Sequence, residues 1–192
     1  MVHLALALTV FYVSHSLLAW TGVKRWVHSL MGLVRWYRAV YTVIALLLLA
    51  WVYVAYSAAG HRQAFWASGL PMSVAGWSLI LLGAYLASVA VLRFGGMAFL
   101  GFTPEPPGAL VRSGLHGHIR HPIYSGVLLS LVGWLCLSPN WPTVLSSLIT
   151  VLYLPIGIHL EELKLIAVHG DAYRRYREEV PALVPRWRTK VG

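Results

Sequence analysis

The sequence predicts an all-α integral membrane protein: a polytopic bundle of five transmembrane helices with a short cytoplasmic C-terminal helix. Three observations predict it. Of the 192 residues, 58% are hydrophobic and only 11% charged, below the charge content of a soluble domain. Apolar runs long enough to be spans recur five times, separated by segments rich in Gly, Pro or charge. The basic residues collect in alternate segments, as a chain threaded through a bilayer requires.

The first run, about His3 to Trp20, lacks a basic leader and a small-residue cleavage site and reads as a retained first helix. The second and third run from Tyr37 to Ala58 and from Met72 to Leu92. The fourth and fifth, Pro122 to Leu137 and Trp141 to Leu160, are joined by Ser138, Pro139, Asn140, Trp141 and Pro142, a tight turn that predicts an antiparallel hairpin whose helices pack together. A hydrocarbon core of roughly 30 Å needs about 20 apolar residues per helix. The chain is therefore expected to form one membrane domain over 1–192, with three helices in 1–92, a loop, hairpin and terminal helix in 93–185, and a tail in 186–192.

Lys24, Arg25, Arg35 and Arg38 follow the first run, and Arg93, Arg112 and Arg120 follow the third. Lys164, Arg174, Arg175, Arg177, Arg186, Arg188 and Lys190 follow the fifth, leaving only Arg62 for the opposite side. Retention of Lys and Arg in the cytoplasm puts the N-terminus outside and the C-terminus inside, in a membrane expected to be a bacterial inner membrane. The formal charge of +9 thus reads as membrane topology, with lipid and not nucleic acid as the partner. Trp20, Trp36, Trp51, Trp141 and several tyrosines sit at span ends, where amphipathic rings favour the headgroup boundary. The single cysteine, Cys136, lies in an apolar run, which excludes an internal disulfide or a CxxC site, and no metal site is expected.

Two polar segments carry chemistry. The first, LVRSGLHGHIRHPIYSG from Leu110, holds Arg112, His116, His118, Arg120 and His121 and ends where the fourth run begins. Pro before a helix presets its first turn and keeps the preceding residue extended, so a loop meets a helix start here. Free amides and the positive dipole end favour an anionic group such as a carboxylate or phosphate, or an anionic lipid headgroup. The second segment begins with Glu161 and Glu162 at the exit of the fifth run, where carboxylates need a partner or a ligand. Gly170 is expected to end that helix, Asp171 to cap the next, and Pro181 to follow its end. Tyr173 and Tyr176 share a face of this terminal helix and are expected to pack or to cover a pocket. The hairpin brings both segments to one membrane face, where they can build one pocket.

The pattern Arg120, His121, Pro122, Ile123, Tyr124, Ser125, Gly126, followed by Glu161, Glu162 and then Gly170, Tyr173, Tyr176 and Val180 to Pro185, resembles the isoprenylcysteine carboxyl methyltransferase family and its phospholipid methyltransferase relatives. The resemblance covers Gly101 to Pro185. The N-terminal half, with His15 to Trp20 and Tyr37 to Tyr41, resembles the nitrite-reduction-associated and methanethiol-methylating bacterial branches. The resemblance implies an S-adenosylmethionine cofactor and a lipophilic or small methyl acceptor. Carried over by position, the cofactor would touch Gly108, Ala109, Leu110, Val111, His116, His121, Pro122, Ile123, Tyr124, Glu161 and Glu162. His116, His118 and Arg120 are the candidate catalytic residues, the histidines as bases for a thiol acceptor.

Two departures bear on the acceptor. His116 stands where the family commonly has Tyr, and Gly157 stands where it has the arginine associated with the acceptor carboxylate. A thiol, an amine or a lipid headgroup is then at least as good an expectation as a carboxylate. The other readings of the sequence are a haem-binding protein using span histidines such as His15 and His159, a catalytically inactive relative, and a small transporter or complex subunit.

Overall fold

The computed structural model of the protein describes residues 1–31, 37–60, 63–93 and 110–186 and contains, among them, α1 (Val2–Ala19), α2 (Thr21–Met31), α3 (Tyr37–Ala58), α4 (Leu70–Arg93), a 3-10 turn (Gly114–Gly117), α5 (Pro122–Leu137), α6 (Trp141–His169) and α7 (Asp171–Glu179). Helices α1, α3, α4 and α6 are long and apolar enough to cross a membrane, and α5 is a shorter apolar helix of 16 residues. At 1.5 Å per residue α5 spans only about 24 Å, less than a hydrocarbon core of roughly 30 Å. The protein is an integral membrane helical bundle.

Helices neighbour one another in the order α3, α1, α6, α5, α4. The closest pair is α4 with α5. Buried Gly76 and Gly83 on α4 face Gly133 and Gly126 on α5; a Cβ at Gly76 would come within 2.9 Å of the Gly133 carbonyl oxygen. Between helices in lipid, where burial from water supplies no drive, such backbone proximity gives the dispersion contact that holds a pair. The predicted hairpin turn forms, with Asn140 Oδ1 accepting from the Thr143 amide at 3.0 Å, but the hairpin's main packing is corrected. Helix α5 lies chiefly along α4, and α6 along α1, because the glycines of α5 face α4.

The α1–α3–α6 side carries an apolar cluster of Leu4, Ala7, Leu8, Ala55 and Ala59 against Leu145 and Ile149. Above it lies a seam of hydroxyls. Tyr12 donates to Thr150 Oγ1 at 2.7 Å, Ser16 and Tyr153 share a bond of 2.8 Å, and Thr150 donates on to the Ser146 carbonyl at 2.7 Å. Buried polar groups in a dry bundle need partners of this kind.

Two local expectations change. The segment after α1 is not only a basic loop but the amphipathic helix α2, with Val23, Trp26 and Val27 on one face, Lys24 and Arg25 on the other, and Trp26 exposed. Asp171 is the first residue of α7 and pairs with Arg174 at 2.9 Å, while Gly170 (φ +56°) occupies the cap, a backbone conformation glycine enters without a Cβ clash.

Candidate active site

The site lies where the start of α5, the C-terminal end of α6, α7 and the segment after it converge. Pro122 is the first helical residue of α5 and His121 its cap, so the sequence dictates a loop-to-helix junction at this point. Of the first-turn amides, Ser125 donates to the His121 carbonyl at 3.1 Å, and those of Ile123 and Tyr124 have no acceptor within the helix. The chain beyond α7 runs alongside as a short irregular strap with bends at 182–184. The Arg120 and His121 amides donate to the Pro181 and Ala182 carbonyls at 2.9 and 3.0 Å, and Ser125 Oγ donates to the Leu183 carbonyl at 2.6 Å.

Glu161 and Glu162 are split by the roughly 100° turn between successive helical residues. Glu162 points inward, its side chain 10% exposed, and is the hub of an ionic knot. Arg120 donates to its Oε1 through Nη2 at 2.8 Å and through Nε at 3.0 Å, His121 Nε2 lies 3.2 Å away, and Arg177 and Tyr173 each approach at 3.4 Å. Arg120 Nη1 also donates to the Arg177 carbonyl at 2.7 Å and to the Val180 carbonyl. One guanidinium therefore ties the helix start, the exit of α6 and α7 together. Glu161, with its side chain 47% exposed, lies 3.6 Å from His121 Nδ1 and within hydrogen-bonding reach of the Tyr124 hydroxyl.

The preceding loop is braced from α4 and α7. Gly114 adopts φ +62°, and a Cβ there would strike the guanidinium of Arg93, whose Nη1 is 3.4 Å from Ser113 Oγ. His116 is 4% exposed, and its carbonyl accepts from the Tyr176 hydroxyl at 2.6 Å. Burial lowers the His116 pKa below the ordinary 6.5, and the positive fields of Arg93 and His121 lower it further against an opposing contribution from Glu161, so the ring is held neutral. Burial pushes the Tyr176 hydroxyl up to about 12 and raises that of Tyr173 as well, so both stay protonated as donors. His118 is exposed, with Nδ1 3.0 Å from the Gly114 carbonyl.

The structure thus gathers His116, His121, Pro122, Ile123, Tyr124, Glu161 and Glu162 into one locality. Leu110 packs on the buried Tyr173, Tyr176 and Val180 beneath it, which makes α7 a packed element. Val111 is half-buried on the same stretch, and Gly108 and Ala109 lie outside the described residues. His15 bonds the Tyr41 hydroxyl at 2.8 Å, the arrangement of a bundle histidine. Tyr153 precedes Gly157 and Glu161 at spacings of four and eight on one face of α6, where its ring stacks on Tyr12 and its hydroxyl bonds Ser16.

The donors and acceptors around the α5 start fit an amino-acid-bearing nucleoside sulfonium. Two helix-start amides suit a carboxylate, an accessible Glu161 carboxylate suits an ammonium or ribose hydroxyls, and the Tyr124 and His121 rings, with centroids 5.6 Å apart, offer apolar faces.

The sequence profile of the NnrU protein family matches residues 3–172. The chain belongs to the NnrU family. Methanethiol S-methyltransferase from a Pseudomonas species is 30% identical over 95% of this chain and 72% of its own length. The protein of that name from Mycobacterium tuberculosis is 28% identical over 93% of this chain and 75% of its own length. Protein-S-isoprenylcysteine O-methyltransferase from Schizosaccharomyces pombe is 32% identical over 55% of this chain and 46% of its own length. No solved structure matches. The chain is accordingly a membrane methyltransferase of the isoprenylcysteine-methyltransferase-like kind.

Proposed function

We propose that this chain transfers the methyl group of S-adenosylmethionine to a small thiol at the cytoplasmic face of a bacterial inner membrane, its N-terminus outside, and that 1–192 acts as one domain for this purpose. The observation that carries the proposal is the division of labour between the two glutamates. Glu162 and Arg120 consume each other's charge, whereas Glu161 is accessible beside His121 and Tyr124. The methanethiol activity named for the relatives that align along most of this chain supports the thiol.

Bound here, S-adenosylmethionine supplies an electrophilic methyl on sulfur. Its carboxylate would be held by the amides of Ile123 and Tyr124, its ammonium or ribose by Glu161, and its flanks by His116, His121 and the residues Gly108, Ala109, Leu110 and Val111. Pro122 fixes the helix start that presents those amides. In-line displacement at carbon asks chiefly for alignment and exclusion of water. The strap after α7 closes the helix start from one side, and Arg120, through Glu162, acts as a positioning residue. A thiol also gives up a proton. His116, buried and held neutral, is the better acceptor; His118, in solvent, passes a proton to water.

Transfer of labelled methyl from S-adenosylmethionine to methanethiol by the detergent-solubilised protein tests the reading. Product formation together with thermal stabilisation by S-adenosylhomocysteine is expected. No transfer to methanethiol by a protein that binds S-adenosylhomocysteine would contradict the thiol, and no binding at all would contradict the donor.

A further inference from the structure

Helix α2 takes no part in the site, yet it is fixed beside it. The Lys24 amide donates to the Trp20 carbonyl at 3.1 Å, which joins α2 to the end of α1, and Lys164 Nζ donates to the neighbouring Ala19 carbonyl at 2.6 Å. Lys164 lies three residues beyond Glu161 on α6, so α2 leaves the bundle at the same end as Glu161. Two indoles share the apolar side of α2. At 100° per residue Gly22, Val23 and Trp26 fall together, and a Cβ at Gly22 would lie 3.2 Å from the Trp20 ring, so that ring lies across Gly22 next to Trp26. Both Trp20 and Trp26 are exposed. Lys24 and Arg25 fall on the opposite side of the helix. The ion pairs formed among the described residues go to Arg112, Arg120, His121, Arg174 and Arg177, and neither Lys24 nor Arg25 shares in them. Lys24 instead faces a second cation, Lys164.

We infer that α2 is a docking surface for anionic phospholipid headgroups of the bilayer the protein spans. Lys24, Arg25 and Lys164 supply the positive charge, and the Trp20 and Trp26 rings sit at the boundary with the acyl chains. Indole rings favour that boundary, and each Lys or Arg near an anionic leaflet adds an attraction that a zwitterionic leaflet does not supply. A helix of 11 residues is about 16 Å long, too short to cross a hydrocarbon core of roughly 30 Å. With charge on one side and rings on the other, it fits the plane of the interface. A headgroup phosphate beside Lys24 and Lys164 also relieves the repulsion between two cations that the α1–α6 contact holds near each other. Helix α2 thereby seats the end of the bundle that carries Glu161 in the headgroup layer. This surface is independent of which donor or acceptor the site takes.

The test is the lipid retained by the full chain after reconstitution into vesicles of equal phosphatidylglycerol and phosphatidylcholine, extraction in mild detergent and native mass spectrometry. The wild type should retain phosphatidylglycerol over phosphatidylcholine by roughly tenfold. Lys24→Gln combined with Arg25→Gln should lower that ratio by roughly fivefold or more. Arg174→Gln combined with Arg175→Gln removes the same charge from exposed positions of α7 at the same end of the bundle, and should leave the ratio within about twofold of the wild type. Should the α2 double variant not fold, Lys24→Gln and Arg25→Gln singly carry the test, each with a fall of about twofold or more. A wild type that retains the two lipids equally, an unchanged ratio in the α2 variants, or a fall as large in the α7 variant overturns the inference.

Discussion

Two neighbouring carboxylates on one helix define two regions of opposite character. Around Glu162 every charge is answered within the protein: Arg120, His121, Arg177 and Tyr173 surround one buried acid. Around Glu161 the same elements leave an accessible carboxylate, two helix-start amides and two aromatic rings. On the function proposed above, fold maintenance and ligand reception fall to adjacent residues that are separated only by helical rotation.

The largest expected effect breaks the closed region. Arg120→Ala removes the two shortest hydrogen bonds to the buried Glu162 carboxylate and leaves it only His121, Arg177 and Tyr173 at 3.2–3.4 Å, so a loss of about 2–3 kcal/mol and a marked fall in the thermal midpoint of the solubilised protein are expected, with binding lost as a consequence. Gly114→Ala comes next: the left-handed backbone and the Arg93 guanidinium both oppose a Cβ, and a loss above about 1 kcal/mol is expected in the same assay.

Glu161→Gln sharpens the comparison from the other side. On an accessible site it should change stability by no more than about 0.5 kcal/mol, yet weaken donor binding by roughly tenfold, equivalent to about 1.4 kcal/mol.

The smallest effect is a pH dependence. His116 has a folded pKa below 6.5, so the unfolded chain binds more protons as the solution is acidified. Its contribution to stability is present above pH 6.5 and is lost as the pH falls towards the lower folded value. His116→Phe should flatten that part of a melting-against-pH curve, and a slope that survives the substitution assigns it to other groups.

Much of the architecture was legible in the sequence because length and composition suffice to mark a span. The runs Tyr37 to Ala58 and Pro122 to Leu137 coincide with helices. The amphipathic helix α2 was hidden by its 11 residues and its basic charge, although Val23, Trp26 and Val27 already recur at helical spacing. The pairing of α5 with α4 was also hidden. It rests on Gly76, Gly83, Gly126 and Gly133 meeting across two helices, which separation along one chain does not reveal. At the site, the convergence of His116, His121, Tyr124 and the glutamates followed from motif order and topology. The assignment of inward and outward roles to Glu162 and Glu161 did not, because it depends on the rotation of α6 relative to Arg120.

The central claim is that the accessible face beside Glu161 receives the methyl donor while the Glu162 knot holds it in shape. Calorimetric titration of S-adenosylhomocysteine into wild-type and Glu161→Gln protein, each first shown to melt at the same temperature, tests it most directly. Saturable heat in the wild type and a roughly tenfold weaker isotherm in the variant are predicted. Equal affinity in the two proteins, or no heat from the wild type at saturating ligand, would contradict it.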